Sequence, residues 1–189
     1  MAEIVLFHHS QGLTPGVRAF ADGLTAAGHT VHVPDLFEGR TFGDVETGVA
    51  HAQEIGFDTI LDRGAAAVQS LPAQVVYAGF SMGVMPAQKL AQNRVGAVGA
   101  LFMDACLPVA EFGTWPDGVP VQIHGGVDDE WFAEDLASAR ELADTTSTAE
   151  LFLYSGTGHL FADSSLLSFD PAAAGLLRER ALAFLGALS

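Results

Sequence analysis

The segment that decides the fold is VVYAGFSMGV at residues 75–84, in which an apolar run leads into glycine, serine and glycine at alternate positions. The run from Val75 to Ala78 predicts a buried strand, and the residues after Val84 have a helical period. A serine on a sharp strand-to-helix turn needs glycine two positions away on either side, so that strand and helix can pack closely. Gly79 and Gly83 meet this need, and the segment matches a nucleophile elbow with Ser81 at its tip. The alternative is an ordinary glycine-rich turn with an exposed serine.

Outward from this segment, short apolar runs alternate with longer stretches of helical period. The predicted strands are Glu3 to His8, Thr30 to Val33, Gln74 to Ala78, Ala97 to Met103, Val119 to His124 and Glu150 to Tyr154. The predicted helices are Gly16 to Ala27, Asp44 to Leu71 with a break near Gly56, Val84 to Gln92, Trp131 to Ala143 and Ala172 to Leu188. This alternation predicts the α/β class, with a mostly parallel sheet and helices on both faces.

The composition indicates which binding partners and which cellular compartment to expect. With 189 residues, of which 49% are apolar, we expect a single domain over residues 1–189. A formal net charge of −15 would repel nucleic acid and anionic membranes, so neither is an expected partner. The absence of a signal-peptide pattern and the single cysteine, Cys106, favour a cytoplasmic protein. We expect no metal and no cofactor, and both a monomer and a homodimer stay open.

A serine hydroxyl at neutral pH needs an imidazole to take its proton and a carboxylate to orient that imidazole. Of the seven histidines, His159 is the predicted base, because it lies in the segment GTGHLF (156–161) directly after the last predicted strand. The alternative is a loop histidine that binds only local backbone. A metal site made of His8 and His9 is not expected, since adjacent strand residues point to opposite faces.

The orienting carboxylate should follow the fifth strand, where the chain reads GGVDDEWF (125–132). Asp128 and Asp129 are both candidates, and either could instead cap the helix that begins near Trp131. Asp104, at the end of the preceding strand, is a third candidate.

A tetrahedral intermediate also needs backbone N–H donors, one from the residue after the nucleophile and one from the loop after the first central strand. The predicted donors to this oxyanion hole are the amides of Met82 and Ser10, the second of them within HHSQG (8–12).

Together these segments resemble the dienelactone hydrolase family of the α/β-hydrolases, over nearly the whole chain. The resemblance is carried by IVLFHHSQGLTPG (4–16), VPDLF (33–37), GFSMG (79–83), VPVQIHGGVDDEWF (119–132) and GTGHLF (156–161) before a final amphipathic helix. It implies the strand order 2-1-3-4-5-6 and no cap domain. In that family the catalytic aspartate precedes a proline or similar residue and then a large apolar one, so the resemblance favours Asp129, followed by Glu130 and Trp131, over Asp128.

The chain departs from the family pattern at three positions. Ser81 stands where the namesake enzymes have cysteine, and His9 stands where they have a glutamate that helps to activate that thiol. Asp163 lies near the position of an arginine that binds the substrate carboxylate. We expect Asp163 to repel an anionic substrate, so a dienelactone is not the expected substrate. Cys106 is expected to be a small buried apolar residue, and Glu38 a solvated loop carboxylate.

The resulting hypothesis is a serine hydrolase that cleaves a small carboxylic ester or lactone through an acyl-enzyme. Five aromatic residues in or near strand-end loops either line an apolar pocket or close the core, namely Phe112, Trp115, Trp131, Phe132 and Phe161. The competing hypothesis is a catalytically silent member that binds a small molecule or a protein on the same scaffold.

Overall fold

Six parallel strands pair in the order β2-β1-β3-β4-β5-β6 in the computed structural model, which describes residues 1–188. The strands are β1 Glu3–Phe7, β2 Thr30–His32, β3 Val75–Phe80, β4 Ala97–Met103, β5 Val121–Gly126 and β6 Ala149–Tyr154. Every pair of neighbours is parallel. The predicted α/β class and strand order are therefore confirmed, and β3 lies inside the sheet, where its carboxyl end meets the loops of β1 and β4.

The helices follow the strands as the alternation predicted. They are α1 Pro15–Ala26, α2 Val45–Ile55, α3 Phe57–Ala67, α4 Val84–Asn93, α5 Glu130–Thr145 and α6 Pro171–Ala187. Gly56 separates α2 from α3 with a φ of 84°, a conformation that glycine adopts without strain. Thr14 and Asp170 cap α1 and α6 with their side chains, each just before a proline in the first turn.

The sheet is covered on both faces because successive residues of each strand point to opposite sides. Ile4 and Leu6 pack on the face covered by α1 and α6, while Val5 and Phe7 pack on the face covered by α2 to α5. Both faces are thus buried against helices, which explains why the strands read as continuous apolar runs.

Two strands, β3 and β5, each end two residues later than the sequence predicted, and both ends lie near the candidate site. β3 continues through Gly79 and Phe80, and β5 continues through Gly125 and Gly126, which pair with β6. Glycines suggested a turn at these points. A Cβ at Gly125 would lie 2.1 Å from the ring of Phe132, so glycine is needed there because α5 packs directly on the strand.

Within residues 1–188, the helices are too short or too polar to cross a bilayer.

Candidate active site

Ser81 stands on a strained turn between β3 and α4. Its φ of 47° lies in the left-handed region, which residues other than glycine adopt at a cost. A Cβ at Gly79 would lie 2.3 Å from the carbonyl oxygen of Gly83, and one at Gly83 would lie 2.4 Å from the carbonyl oxygen of Phe7. Backbone segments therefore approach so closely that both positions require glycine. Close packing of this kind is what the spacing of the two glycines predicted.

The loop after β6 brings His159 to Ser81. The Nε2 atom of His159 lies 2.9 Å from Oγ of Ser81, and its Nδ1 atom lies 2.7 Å from Oδ2 of Asp129. Leu160 has a φ of 61°, so the backbone turns sharply directly after the imidazole. When Asp129 is ionised, Nδ1–H donates to the carboxylate and Nε2 is free to accept the hydroxyl proton of Ser81. The three side chains form one continuous chain of hydrogen bonds.

Asp129 makes both of the contacts considered for an aspartate at this position. Its Oδ1 atom accepts a hydrogen bond from the amide of Trp131 at 3.0 Å and caps α5, while Oδ2 accepts from His159. Asp128 is exposed, and its Oδ2 atom accepts from the amide of Gly156 at 2.9 Å. The structure therefore brings Asp129 to the imidazole and places Asp128 against the backbone of the loop after β6.

Met82 and Ser10 lie at the adjacent carboxyl ends of β3 and β1. Met82 follows Ser81 in a short 3-10 turn that ends at Gly83, and Gly83 lies against the carbonyl oxygens of Phe7 and His8. Ser10 is buried, and its own carbonyl oxygen would be 2.1 Å from a Cβ at Gly48 of α2. Met82 therefore follows Ser81 directly, and Ser10 lies on closely packed backbone in the loop after the neighbouring strand β1.

A second hydrogen-bond network, which the sequence did not reveal, lies next to these loops. Nε2 of His9 donates to Oδ2 of Asp163 at 2.8 Å, and the hydroxyl of Thr14 donates to the same oxygen at 2.5 Å. The other oxygen of Asp163 accepts from the amide and hydroxyl of Ser165. Burial opposes ionisation of this carboxyl, but the hydrogen bonds from His9, Ser165 and Thr14 hold its pKa at about 2.

This network corrects the role expected for Asp163. The carboxylate is 1% exposed and fully engaged with its neighbours, so it does not face an incoming substrate. The spacing of Asp163 from His159 could not reveal this, because the partners His9 and Thr14 are more than 140 positions away in the chain. Any repulsion of an anionic substrate must therefore come from other residues.

Other carboxylates do surround the site. A cleft of about 390 Å³ opens beside His159, with the half-exposed indole of Trp131 tilted against the imidazole at 5.9 Å between ring centroids. The acidic residues that line it are Asp44, Glu46, Asp128, Asp129 and Glu130. Among the described residues that line this cleft there is no lysine or arginine. The cleft therefore carries a negative potential.

Of the two alternatives open for the five aromatic residues, a single pocket lined by all of them is not observed. Phe132 and Phe161 are fully buried and belong to the cores on opposite faces of the sheet. Trp115 packs edge-on against Phe102, and its indole nitrogen donates to the carbonyl of Val119. Of the five aromatic residues, Trp131 alone lines the cleft at His159. The alternative that aromatic side chains close the core describes Phe132, Phe161 and Trp115.

Burial keeps His8 and His124 in the neutral form. Nδ1 of His8 donates to the carbonyl of His9, Nε2 accepts from the amide of Leu36, and burial lowers the pKa of His8 to about 4. Burial likewise lowers the pKa of His124 to about 3. His8 and His9 have separate partners, Leu36 and Asp163, as expected for adjacent residues that point to opposite faces.

Two further expectations about side chains are confirmed. Cys106 is buried, and burial raises the pKa of its thiol to about 12, so the thiolate that a nucleophile needs is not formed near neutrality. Glu38 is exposed and pairs with Arg63 at 3.0 Å.

The fold itself has counterparts among solved structures. A dienelactone hydrolase-like promiscuous phosphotriesterase from metagenomic libraries matches with a TM-score of 0.79 at 14% identity, over 100% of this chain and 87% of that one. A dienelactone hydrolase from Anabaena variabilis matches with a TM-score of 0.68 at 18% identity, over 98% and 86% of the two chains. An esterase from Thermogutta terrifontis matches with a TM-score of 0.63 at 17% identity, over 100% and 82%.

At these identities the likeness establishes the fold, and no curated protein sequence matches the chain. The family assignment comes from the sequence, which matches the dienelactone hydrolase family over residues 1–189, the whole of its length. With the fold and the sequence in agreement, the chain belongs to the dienelactone hydrolase family and is an ester-cleaving hydrolase of the α/β-hydrolase fold.

Proposed function

We propose that this protein is a serine hydrolase that cleaves a small carboxylic ester or lactone through an acyl-enzyme, with Ser81 as nucleophile, His159 as base and Asp129 as orienting acid. The observation that carries the proposal is the chain of hydrogen bonds from Ser81 Oγ to His159 Nε2 at 2.9 Å and from His159 Nδ1 to Asp129 at 2.7 Å. A hydroxyl held this way is activated for attack on a carbonyl carbon.

In the first half of the reaction, the oxygen of Ser81 bonds to the carbonyl carbon while its proton passes to Nε2 of His159. The amides of Met82 and Ser10 stabilise the negative oxygen of the tetrahedral intermediate. The intermediate collapses as the imidazolium gives its proton to the leaving alcohol, and Ser81 keeps the acyl group. Water, deprotonated by His159, then attacks the acyl-enzyme, and the same proton route in reverse releases the acid and restores the hydroxyl of Ser81.

We also propose that the substrate carries no negative charge. The support for this is the cleft beside His159, whose lining holds carboxylates such as Asp44 and Glu46 and, among the described residues, no lysine or arginine. A carboxylate-bearing lactone would bring another negative charge into this potential. The negative net charge of the whole chain supports a small-molecule substrate rather than nucleic acid. The single cysteine supports a cytoplasmic location.

The test is to compare the wild type with Ser81→Ala on short-chain p-nitrophenyl esters, and to treat both with a fluorophosphonate. We expect the variant to lose activity by about 10⁴-fold or more. The fluorophosphonate should label the wild type at Ser81, as located by mass spectrometry of the modified peptide, and should leave the variant unlabelled. A folded wild type that hydrolyses no ester and reacts with no fluorophosphonate would instead support the silent, ligand-binding alternative. Equal ester hydrolysis by the two proteins would refute Ser81 as the nucleophile.

A further inference from the structure

Asp104 is a buried carboxyl group without a hydrogen-bond partner. It follows β4 directly, and its amide donates to the carbonyl of His124 at 2.8 Å, which holds its backbone against β5. The residue is 2% exposed, and within residues 1–188 neither of its carboxylate oxygens has a partner. Burying a polar group in this way costs free energy, so its presence calls for a reason outside stability.

The position of Asp104 supplies such a reason. A carboxylate oxygen of Asp104, one of Asp129 and a ring nitrogen of His159 all lie within 4.8 Å of one another. The strand β4 lies between β3, which is followed directly by Ser81, and β5, whose following loop carries Asp129. Asp104 is therefore close enough to act on the imidazole through its charge, although no hydrogen bond joins them.

Two carboxylates this close to each other do not ionise together readily. Burial raises the pKa of Asp104 to about 7, while the positive charge that His159 can carry lowers it and the charge of Asp129 raises it further. Two other groups face this region. The charge of Asp104 raises the pKa of the Tyr154 hydroxyl on β6, and Asp135 of α5 accepts a hydrogen bond from the amide of Cys106. Burial thus favours the neutral carboxyl of Asp104, whereas a positive charge on His159 favours its ionised form.

We propose that Asp104 is a positioning residue for His159, a second carboxylate that stabilises the protonated imidazole and orients the ring when Asp129 is removed. The inference rests on the proposed function, because His159 gains a proton only as the oxygen of Ser81 bonds to the substrate carbon. Asp104 itself touches neither substrate nor nucleophile in this scheme.

The same three atoms could instead be read as a metal site, since Asp104, Asp129 and His159 are residues that bind metal ions. Both ring nitrogens of His159 are already engaged, one with Asp129 and one with Ser81. A cation at this point would have to break that chain of hydrogen bonds. Activity that is lost on dialysis against EDTA and restored by zinc would overturn the proposal in favour of a metal site.

The first test follows kcat/KM for p-nitrophenyl acetate from acid to neutral pH in the wild type and in Asp104→Asn. The ionised carboxylate favours the protonated imidazole, so its removal should move the acidic limb of the profile to lower pH by roughly half a unit. It should also lower kcat more than it changes KM. Asp22→Asn, which removes an exposed carboxylate on α1, is the matched control and should leave the profile in place. If Asp104→Asn does not fold, Asp104→Gly suits the φ of 61° at this position.

The second test removes Asp129 in two ways. Asparagine would donate its amide proton to Nδ1 and hold the ring in the wrong tautomer, whereas alanine leaves Nδ1 open. We expect Asp129→Ala to keep about tenfold more activity than Asp129→Asn, and expect the additional change Asp104→Asn to abolish that advantage. If loss of the helix cap unfolds Asp129→Ala, Asp129→Ser retains a capping oxygen and takes its place.

An unmoved acidic limb in Asp104→Asn, together with equal rates for Asp129→Ala and the double variant, would overturn the proposal. That result is distinct from failure of the proposed function, which shows itself as equal ester hydrolysis by the wild type and Ser81→Ala.

Discussion

The imidazole of His9 and the carboxylate of Asp163 are joined by a buried hydrogen bond of 2.8 Å that ties the loop after β1 to the segment after His159. Nδ1 of His9 accepts from the amide of Gln11, so Nε2 carries the proton that is donated to Asp163. The two loops that bring Ser10 and His159 to the site are thereby held together by side chains that take no part in the proposed reaction.

The pH dependence of stability should report on Asp163. Its pKa in the folded protein, about 2, lies below the ordinary value of 3.8. The carboxylate therefore contributes stability above pH 4, and this contribution is lost as the pH falls from about 4 to about 2. Asp163→Asn should lower the free energy of unfolding by roughly 2 kcal/mol at neutral pH, and the difference should vanish in acid. Urea unfolding of both proteins across this range measures it, and a difference that does not depend on pH would contradict the assignment.

The two adjacent aspartates should differ sharply in their effect on catalysis. Asp129→Asn keeps an oxygen to cap α5 but presents an amide to Nδ1 of His159, so we expect kcat to fall by about 10⁴-fold with little loss of stability. Asp128→Asn keeps an acceptor for the amide of Gly156 and should change kcat by less than about threefold. Steady-state kinetics of the two variants, with thermal unfolding as a check on folding, would be at odds with the proposed triad if both lost activity equally.

The acidic cleft should discriminate between substrates by charge. We expect a neutral p-nitrophenyl ester to have a kcat/KM about tenfold above that of a p-nitrophenyl hemiester of equal length that ends in a carboxylate. The gap should narrow at high salt and in the double variant Asp44→Asn, Glu46→Gln, in which asparagine still caps α2. Asp22→Asn, distant on α1, is the control for net charge. If the anionic ester is hydrolysed as fast as the neutral one, the cleft does not select against negatively charged substrates.

The close packing at the elbow predicts opposite effects for two glycine-to-alanine changes. A Cβ at Gly79 would meet the carbonyl oxygen of Gly83 at 2.3 Å, so Gly79→Ala should destabilise the fold by about 3 kcal/mol or more and abolish activity. Gly23, in the middle of α1, has no atom closer than 3.7 Å to such a Cβ. Gly23→Ala should raise the free energy of unfolding by about 0.5 to 1 kcal/mol. Denaturant unfolding compares the two, and a well-folded, active Gly79→Ala would show that the turn can relax.

Local pattern determined much of this molecule. The apolar runs determined the strands, and the helical period with Thr14-Pro15 and Asp170-Pro171 determined where two helices begin, because capping and proline geometry act between residues close in the chain. The pattern of Gly79, Ser81 and Gly83 predicted the turn for the same reason at Gly79, where the clash that glycine avoids is with Gly83, four residues away. At Gly83 the clash is with the backbone of Phe7, which only the tertiary structure reveals. The position of His159 after the last strand followed from the parallel topology, which gathers strand ends at one edge.

Only the tertiary structure decided which groups meet across that edge. From the sequence, Asp128 and Asp129 were both candidates for the acid. At the start of α5 the carboxylate of Asp129 points toward His159, and that of Asp128 toward the backbone of Gly156. The sequence placed Asp163 near the site but could not show that His9 and Thr14 donate hydrogen bonds to its carboxylate. Nor could it show that the carboxyl of Asp104 has no hydrogen-bond partner within residues 1–188. Burial and hydrogen bonding depend on residues brought together from distant parts of the chain, and no local pattern records those encounters.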